Sequence, residues 1–114
     1  MTEQPWPSDW LRGVLQVAVL RILAEGPTHG YAIATALEES GFGVVKGGTL
    51  YPLLSRLEAA GFVTTRWEQG ESGPGRKYLE LTGDGRLEMQ HRTARWVEFA
   101  ETTARFMRAD TVRA

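Results

Sequence analysis

Four leucines constrain this chain more than any other feature. Leu50, Leu53, Leu54 and Leu57 fall at i, i+3, i+4 and i+7, so all four share one stripe of an α-helix. Thr49, Tyr51, Pro52, Ser55, Arg56 and Ala59 take the opposite face, which carries no apolar stripe of its own. Gly61 is placed to end that helix. Phe62–Glu68 and Arg76–Leu81 then alternate with β-branched and aromatic residues, as two strands do. Between them Gln69–Gly75 holds three glycines and a proline, the composition of a hairpin tip. A helix with one buried stripe, followed at once by a hairpin, leaves few ways to complete a core.

The flanking segments narrow the choice. Ser8-Asp9 predicts a capped helix start. From Trp10 to Ala24 only Arg12, Gln16 and Arg21 are clearly polar, so this helix is apolar on nearly all sides and needs cover on nearly all sides. Gly26-Pro27 ends it. Thr28-His29-Gly30 opens a second, shorter helix with Ile33, Ala36 and Leu37 on its apolar side, ended by Gly41 and Gly43. Val44-Val45 reads as a short extended piece and Gly47-Gly48 as a sharp turn. The leucine helix is predicted over Thr49–Ala60, which puts Pro52 in its first turn, where proline is tolerated. Thr82, with Asp84 following, caps a long last helix that runs to about Arg108.

The expected order is helix, helix, short strand, helix, hairpin, long helix. The fold is mainly α with a small β-hairpin: a winged helix-turn-helix plus a C-terminal dimerisation helix. Residues 1–8 are expected as a flexible tail, 9–81 as the winged helix-turn-helix domain and 82–110 as the dimerisation helix.

Several function classes are poorly served by this sequence. The 114 residues contain no cysteine, which removes disulfides, thiolate metal sites and a cysteine nucleophile, and fits a reducing, cytoplasmic setting. No run is long and apolar enough to span a membrane, and the residues after Met1 are not those of a signal peptide. No Ser/His/Asp set, paired carboxylates or phosphate-binding loop stands out, so neither an enzyme nor a cofactor or metal is expected. His29 reads as a helix-start residue bonded to backbone.

Net charge is −1, which disfavours a bulk polyanion binder. Its distribution is uneven. Residues 46–79 hold Lys46, Arg56, Arg66, Arg76 and Lys77 against Glu58, Glu68 and Glu71, whereas residues 1–45 are acidic. A basic region in a neutral chain is compatible with a nucleic-acid reader. On charge alone, ordinary solvated surface is the commoner explanation. The leucine helix adds context. Thr49 and Tyr51 can bond phosphates or pack on sugars and thymine methyls, and Arg56 can reach guanine or phosphate. Trp67 and Tyr78 are expected as a cross-strand aromatic pair.

One resemblance gathers these segments. His29-Gly30-Tyr31, then Gly48-Thr49-Leu50-Tyr51-Pro52-Leu53-Leu54-Ser55-Arg56-Leu57-Glu58, Gly61, Gly73-Pro74-Gly75-Arg76-Lys77-Tyr78, Leu81-Thr82 and Gly85 resemble the PadR family of transcriptional regulators. The likeness runs from residue 11 to about 96 and is closest to the short-tailed subgroup with a single helix after the wing. It implies a winged-helix homodimer that binds operator DNA, mostly as a repressor. It places Thr49, Tyr51, Pro52, Ser55 and Arg56 in the major groove and Arg76 and Lys77 on the wing. Lys46, just before the helix, joins the expected DNA-binding set. Leu79 departs from the pattern, since relatives often carry a second aromatic there; packing under the wing is where this should be felt. A protein-interaction module built on the same fold is the alternative.

On the last helix Trp96, Phe99, Ala100, Thr103, Phe106 and Met107 form an apolar face. With the all-round apolar first helix it predicts a homodimer in which these two helices pack across a two-fold axis. Two roles fit Trp96 and Phe99. They are dimer core, the commoner use of such residues, or with Val14, Leu15 and Ala18 they line a site for a planar aromatic small molecule.

Overall fold

The computed structural model describes residues 4–70 and 73–109. The chain forms α1 (Ser8–Arg12), α2 (Leu15–Leu23), β1 (Thr28–His29), α3 (Gly30–Leu37), a wider helical turn over Glu38–Phe42, α4 (Gly47–Ala59), β2 (Val63–Glu68), β3 (Arg76–Leu81) and α5 (Gly83–Met107). The strands make an antiparallel sheet in the order β1-β3-β2. This is a winged helix, with α4 as its third main helix and β2–β3 as the wing.

The core follows the apolar pattern. Val19 and Leu20 of α2, Ile33 and Leu37 of α3, Leu50 and Leu57 of α4, and Val63 of β2 are almost wholly buried. Burying a side chain of this size stabilises by roughly 1.5–3 kcal/mol, so these contacts dominate the fold. Leu53 and Leu54 complete the stripe on α4. Leu79 faces the same core and pairs with Thr28 and Thr65.

Turn chemistry fixes the joints. Gly61 takes φ +82, and its N–H bonds the Glu58 carbonyl at 3.0 Å while Phe62 N–H bonds that of Leu57 at 3.0 Å. That is a Schellman ending, which favours glycine because other residues strain there. Thr82 Oγ1 accepts from Gly85 N–H at 2.9 Å, the expected cap of α5.

Five expectations change. The predicted first helix is two, broken at Gly13-Val14, and Pro7 rather than Ser8 is the capping position of α1, with no side-chain cap. The break is held by a distant residue: Trp96 Nε1–H donates to the Gly13 carbonyl at 2.9 Å. The extended piece at Val44-Val45 is not a strand; the third strand is Thr28–His29, paired with β3. Gly47-Gly48 is not a turn but the start of α4, so Pro52 lies two residues deeper than expected, in the second turn. Its missing N–H leaves the Gly48 carbonyl without a helical donor, at an exposed site where that group can meet water.

Trp67 and Tyr78 do not pair, because the register sets Arg66 opposite Tyr78 and Trp67 opposite Lys77. One residue of offset places the two aromatics on opposite faces of the wing. Finally, the segment expected as a free tail touches the fold from Gln4 onward. Gln4 Nε2 donates to Val44 O at 3.1 Å and Trp6 Nε1 to Gly41 O at 2.8 Å. Positions 1–3 of that tail, Glu71 and Ser72 of the hairpin tip and Asp110 at the end of the dimerisation helix lie outside the described residues.

Candidate nucleic-acid interface

The leucine stripe decides which way α4 faces. With Leu50, Leu53, Leu54 and Leu57 buried, Thr49, Tyr51, Pro52, Ser55 and Arg56 are all exposed. Lys46 is exposed at the helix entrance. It shares a hollow with Thr49 and with Arg12, a further cation on this side that the sequence reading did not single out. Towards the wing, Tyr51 and Ser55 line a cleft with Lys77, closed beneath by Leu54 and Leu79. The structure therefore brings Tyr51 and Ser55 of α4 together with Arg76 and Lys77 of the wing, while Lys46 and Thr49 lie in a separate hollow.

Glycine shapes this surface at one point. A Cβ on Gly30 would lie 2.7 Å from the Tyr51 ring and 2.9 Å from its hydroxyl. Tyr51 thus lies across the start of α3, and only a residue without a side chain leaves room for it.

The wing cations differ in how free they are. Lys77 Nζ stands 3.8 Å from Glu58, whose other oxygen accepts from Thr65 Oγ1 at 2.9 Å. These exposed contacts tie wing to α4 but contribute little stability. Arg66 is spent on the wing itself, bonded to Glu68 at 2.8 Å and Glu80 at 3.2 Å, so it leaves the expected basic group. Among the described residues, no ion pair holds Lys46, Arg56 or Arg76.

Arg76 rests against His29 and Tyr31, its guanidinium 5.9 Å from the Tyr31 ring centre. His29 caps α3, since its Nδ1 accepts from Ala32 N–H at 3.2 Å. Partial burial, and then the charge of Arg76, hold the imidazole pKa below its ordinary value of 6.5. The folded state therefore favours neutral His29. Its contribution is complete above pH 6.5 and is lost as pH falls through the lower folded-state value. We expect the urea midpoint to drop on acidification below that point before the carboxylates titrate. His29→Asn keeps a capping acceptor but cannot titrate, so the drop should shrink in that variant; an equal drop in both would contradict the assignment.

The residues expected for a small-molecule site are only partly assembled. Val14, Ala18 and Trp96 line a groove of about 300 Å³ between α2 and α5, with Arg21, Ile22 and Val97. Leu15 does not line it, being buried in the core, and Phe99 stands beside it with its ring edge-on to Trp96 at 5.5 Å. Trp96 meets α2 of its own chain.

A winged helix with an exposed polar third helix and a basic wing on one surface defines a class of nucleic-acid-binding proteins. The sequence matches the Transcriptional regulator PadR-like family over residues 19–91. The chain belongs to that family of transcriptional regulators. It is 42% identical over 71 residues to a protein encoded in a Streptomyces fradiae transposon, covering 57% of this chain and 21% of that one. It is 32% identical over 88 residues to the transcriptional regulator YqjI of Escherichia coli, covering 75% of this chain and 37% of YqjI. Against these two relatives the chain spans well under half of their length. A PadR-like transcriptional regulator from Bacillus cereus superimposes with a TM-score of 0.80 at 27% identity, over 90% of this chain and 99% of that one.

Among the described residues no helix is long and apolar enough to cross a membrane.

Proposed function

We propose that the chain acts as a cytoplasmic homodimer that binds double-stranded DNA and represses transcription at an inverted-repeat operator. The observation that carries this reading is the single surface formed by the polar face of α4 and the wing. Thr49, Tyr51, Pro52, Ser55 and Arg56 face the major groove, with Arg56 and Ser55 selecting bases. Arg76, Lys77 and Lys46 meet phosphates. The dimer follows from α5, where Leu87, Val97, Phe99, Phe106 and Met107 are exposed along one helix. A second copy is the cover such a helix calls for. The groove beside Trp96 is the proposed seat of a planar aromatic ligand that releases the DNA.

Salt dependence tests the division of labour. Arg76→Ala should lower the slope of log affinity against log salt by about one unit, the mark of a lost phosphate contact. Lys77→Ala should lower it less, because Glu58 already shares that charge. Neither should change preference among sequences, whereas Arg56→Ala should. Wing variants that shift base preference and keep the wild-type slope would contradict the proposal.

A further inference from the structure

Trp67 is left unexplained by the fold. It is 72% exposed on β2, and the register denies it the aromatic partner its sequence position suggested. Tyr31, 70% exposed, and Tyr51, 54% exposed, stand nearby. These three rings border one hollow of about 350 Å³ between the start of α3, α4 and the wing. His29, Gly30, Gly75, Arg76 and Lys77 complete its lining, and no carboxylate residue is among them.

The chemistry of that hollow selects a class of ligand. Its charge is positive, so it suits an anion. Its three flat rings suit something with planar or saturated-ring surface between the charges. Arg76 is also less committed than its position implies. Since His29 Nδ1 accepts from Ala32, the proton of the neutral ring sits on Nε2. Arg76 Nη1, 3.0 Å from Nε2, then faces another N–H and gains no hydrogen bond there. Among the described residues no carboxylate pairs with the guanidinium, which rests on the Tyr31 ring and has donors available to an incoming anion.

We propose that this hollow seats one strand of duplex DNA, with a phosphate on Arg76 and Lys77 and the adjoining deoxyribose packed against Trp67. The proposal rests on the DNA-binding reading above and adds to it an uncharged contact from the wing. A nucleic-acid strand offers both phosphates and rings, and the hollow offers both cations and aromatic side chains to meet them. The contact does not depend on base identity, because every nucleotide offers a sugar.

The test uses the intact chain and a mixed-sequence duplex about three helical turns long. Trp67→Ala should weaken binding about tenfold at every salt concentration and leave the salt slope unchanged, because no charge is removed. Trp67→Phe should recover part of the loss. Binding to inorganic polyphosphate, which has charge and no sugar, should be the same in wild type and Trp67→Ala. The exposure of Trp67 predicts an unchanged melting temperature, which separates lost contact from lost fold. Wild-type affinity for DNA with no change in Trp67→Ala would overturn the contact and leave the DNA-binding reading intact. Equal losses on DNA and polyphosphate would overturn it too, by showing that Trp67 acts through charge placement. Absence of DNA binding in wild type would remove the parent reading and the contact with it.

Discussion

Gly85→Ala should cost roughly 3 kcal/mol or more, at the upper end of what overpacking does to a small domain. The added Cβ would overlap the Phe62 carbonyl oxygen and lie 2.8 Å from its carbon. Gly85 has no left-handed backbone, so space alone is at issue. Nor can the neighbours yield easily. Phe62 is pinned by its N–H to Leu57 O at 3.0 Å and by Thr82 N–H to its own carbonyl at 3.0 Å. Thr82 in turn bonds Gly61 O at 2.7 Å through Oγ1, which also caps α5 through Gly85 N–H. This joint is where α5 meets the winged helix, so strain there acts on both. Gly83→Ala is the control, since nothing lies within 4 Å of its added Cβ. Urea unfolding should show a collapse of the midpoint for Gly85→Ala and none for Gly83→Ala. An unchanged midpoint at Gly85 would refute the packing described.

Trp96→Ala is the second large effect, a loss of roughly 3 kcal/mol, low for a tryptophan truncation because the indole is only half-buried. The ring packs edge-on to Phe99, lines the α2–α5 groove and bonds the Gly13 carbonyl. Trp96→Phe keeps most of the packing and removes the hydrogen bond, so it should cost about 1 kcal/mol. Both variants should loosen the break between α1 and α2, which hydrogen exchange at Val14 and Leu15 reads directly. A Trp96→Ala protein that keeps its stability but no longer responds to flat aromatic compounds would assign the residue to ligand binding instead.

Much of this fold is written locally. The leucine stripe, the alternation of the wing strands, the Gly61 ending and the Thr82 cap each follow from residues within a turn of one another. His29 as the cap of α3 follows in the same way. What escaped the sequence depends on distant partners. A glycine inside a helix costs only about 1 kcal/mol, so Gly13 alone does not announce a break; the bond from Trp96, far along the chain, does. Thr28–His29 is too short for any periodicity to mark it as a strand, and only pairing with β3 makes it one. Gly47-Gly48 looks like a turn by composition. It is helical, with the Tyr51 ring 3.3 Å from where a Cβ on Gly47 would sit.

The candidate interface was legible in the same uneven way. The exposed face of α4 is the complement of its leucines and needs no structure to find. The fate of the cations was only partly readable: Glu68 stands two residues after Arg66, but nothing local marks the setting of Arg76. The strand register puts both on one wing face, and only the tertiary setting gives Arg66 its second carboxylate, Glu80, and Arg76 an aromatic ring. Trp67 was misread for want of one residue of register.

The central claim is that α4 and the wing read DNA as one surface of a symmetric pair. Selection from a pool of randomised duplexes tests it most directly, with Arg56→Ala run in parallel. The expected result is enrichment of an inverted repeat whose half-site centres lie about one helical turn, roughly 10 bp, or a multiple apart, together with loss of that preference in the variant. A retained pool that stays random, or one that converges on an isolated half-site, would contradict it.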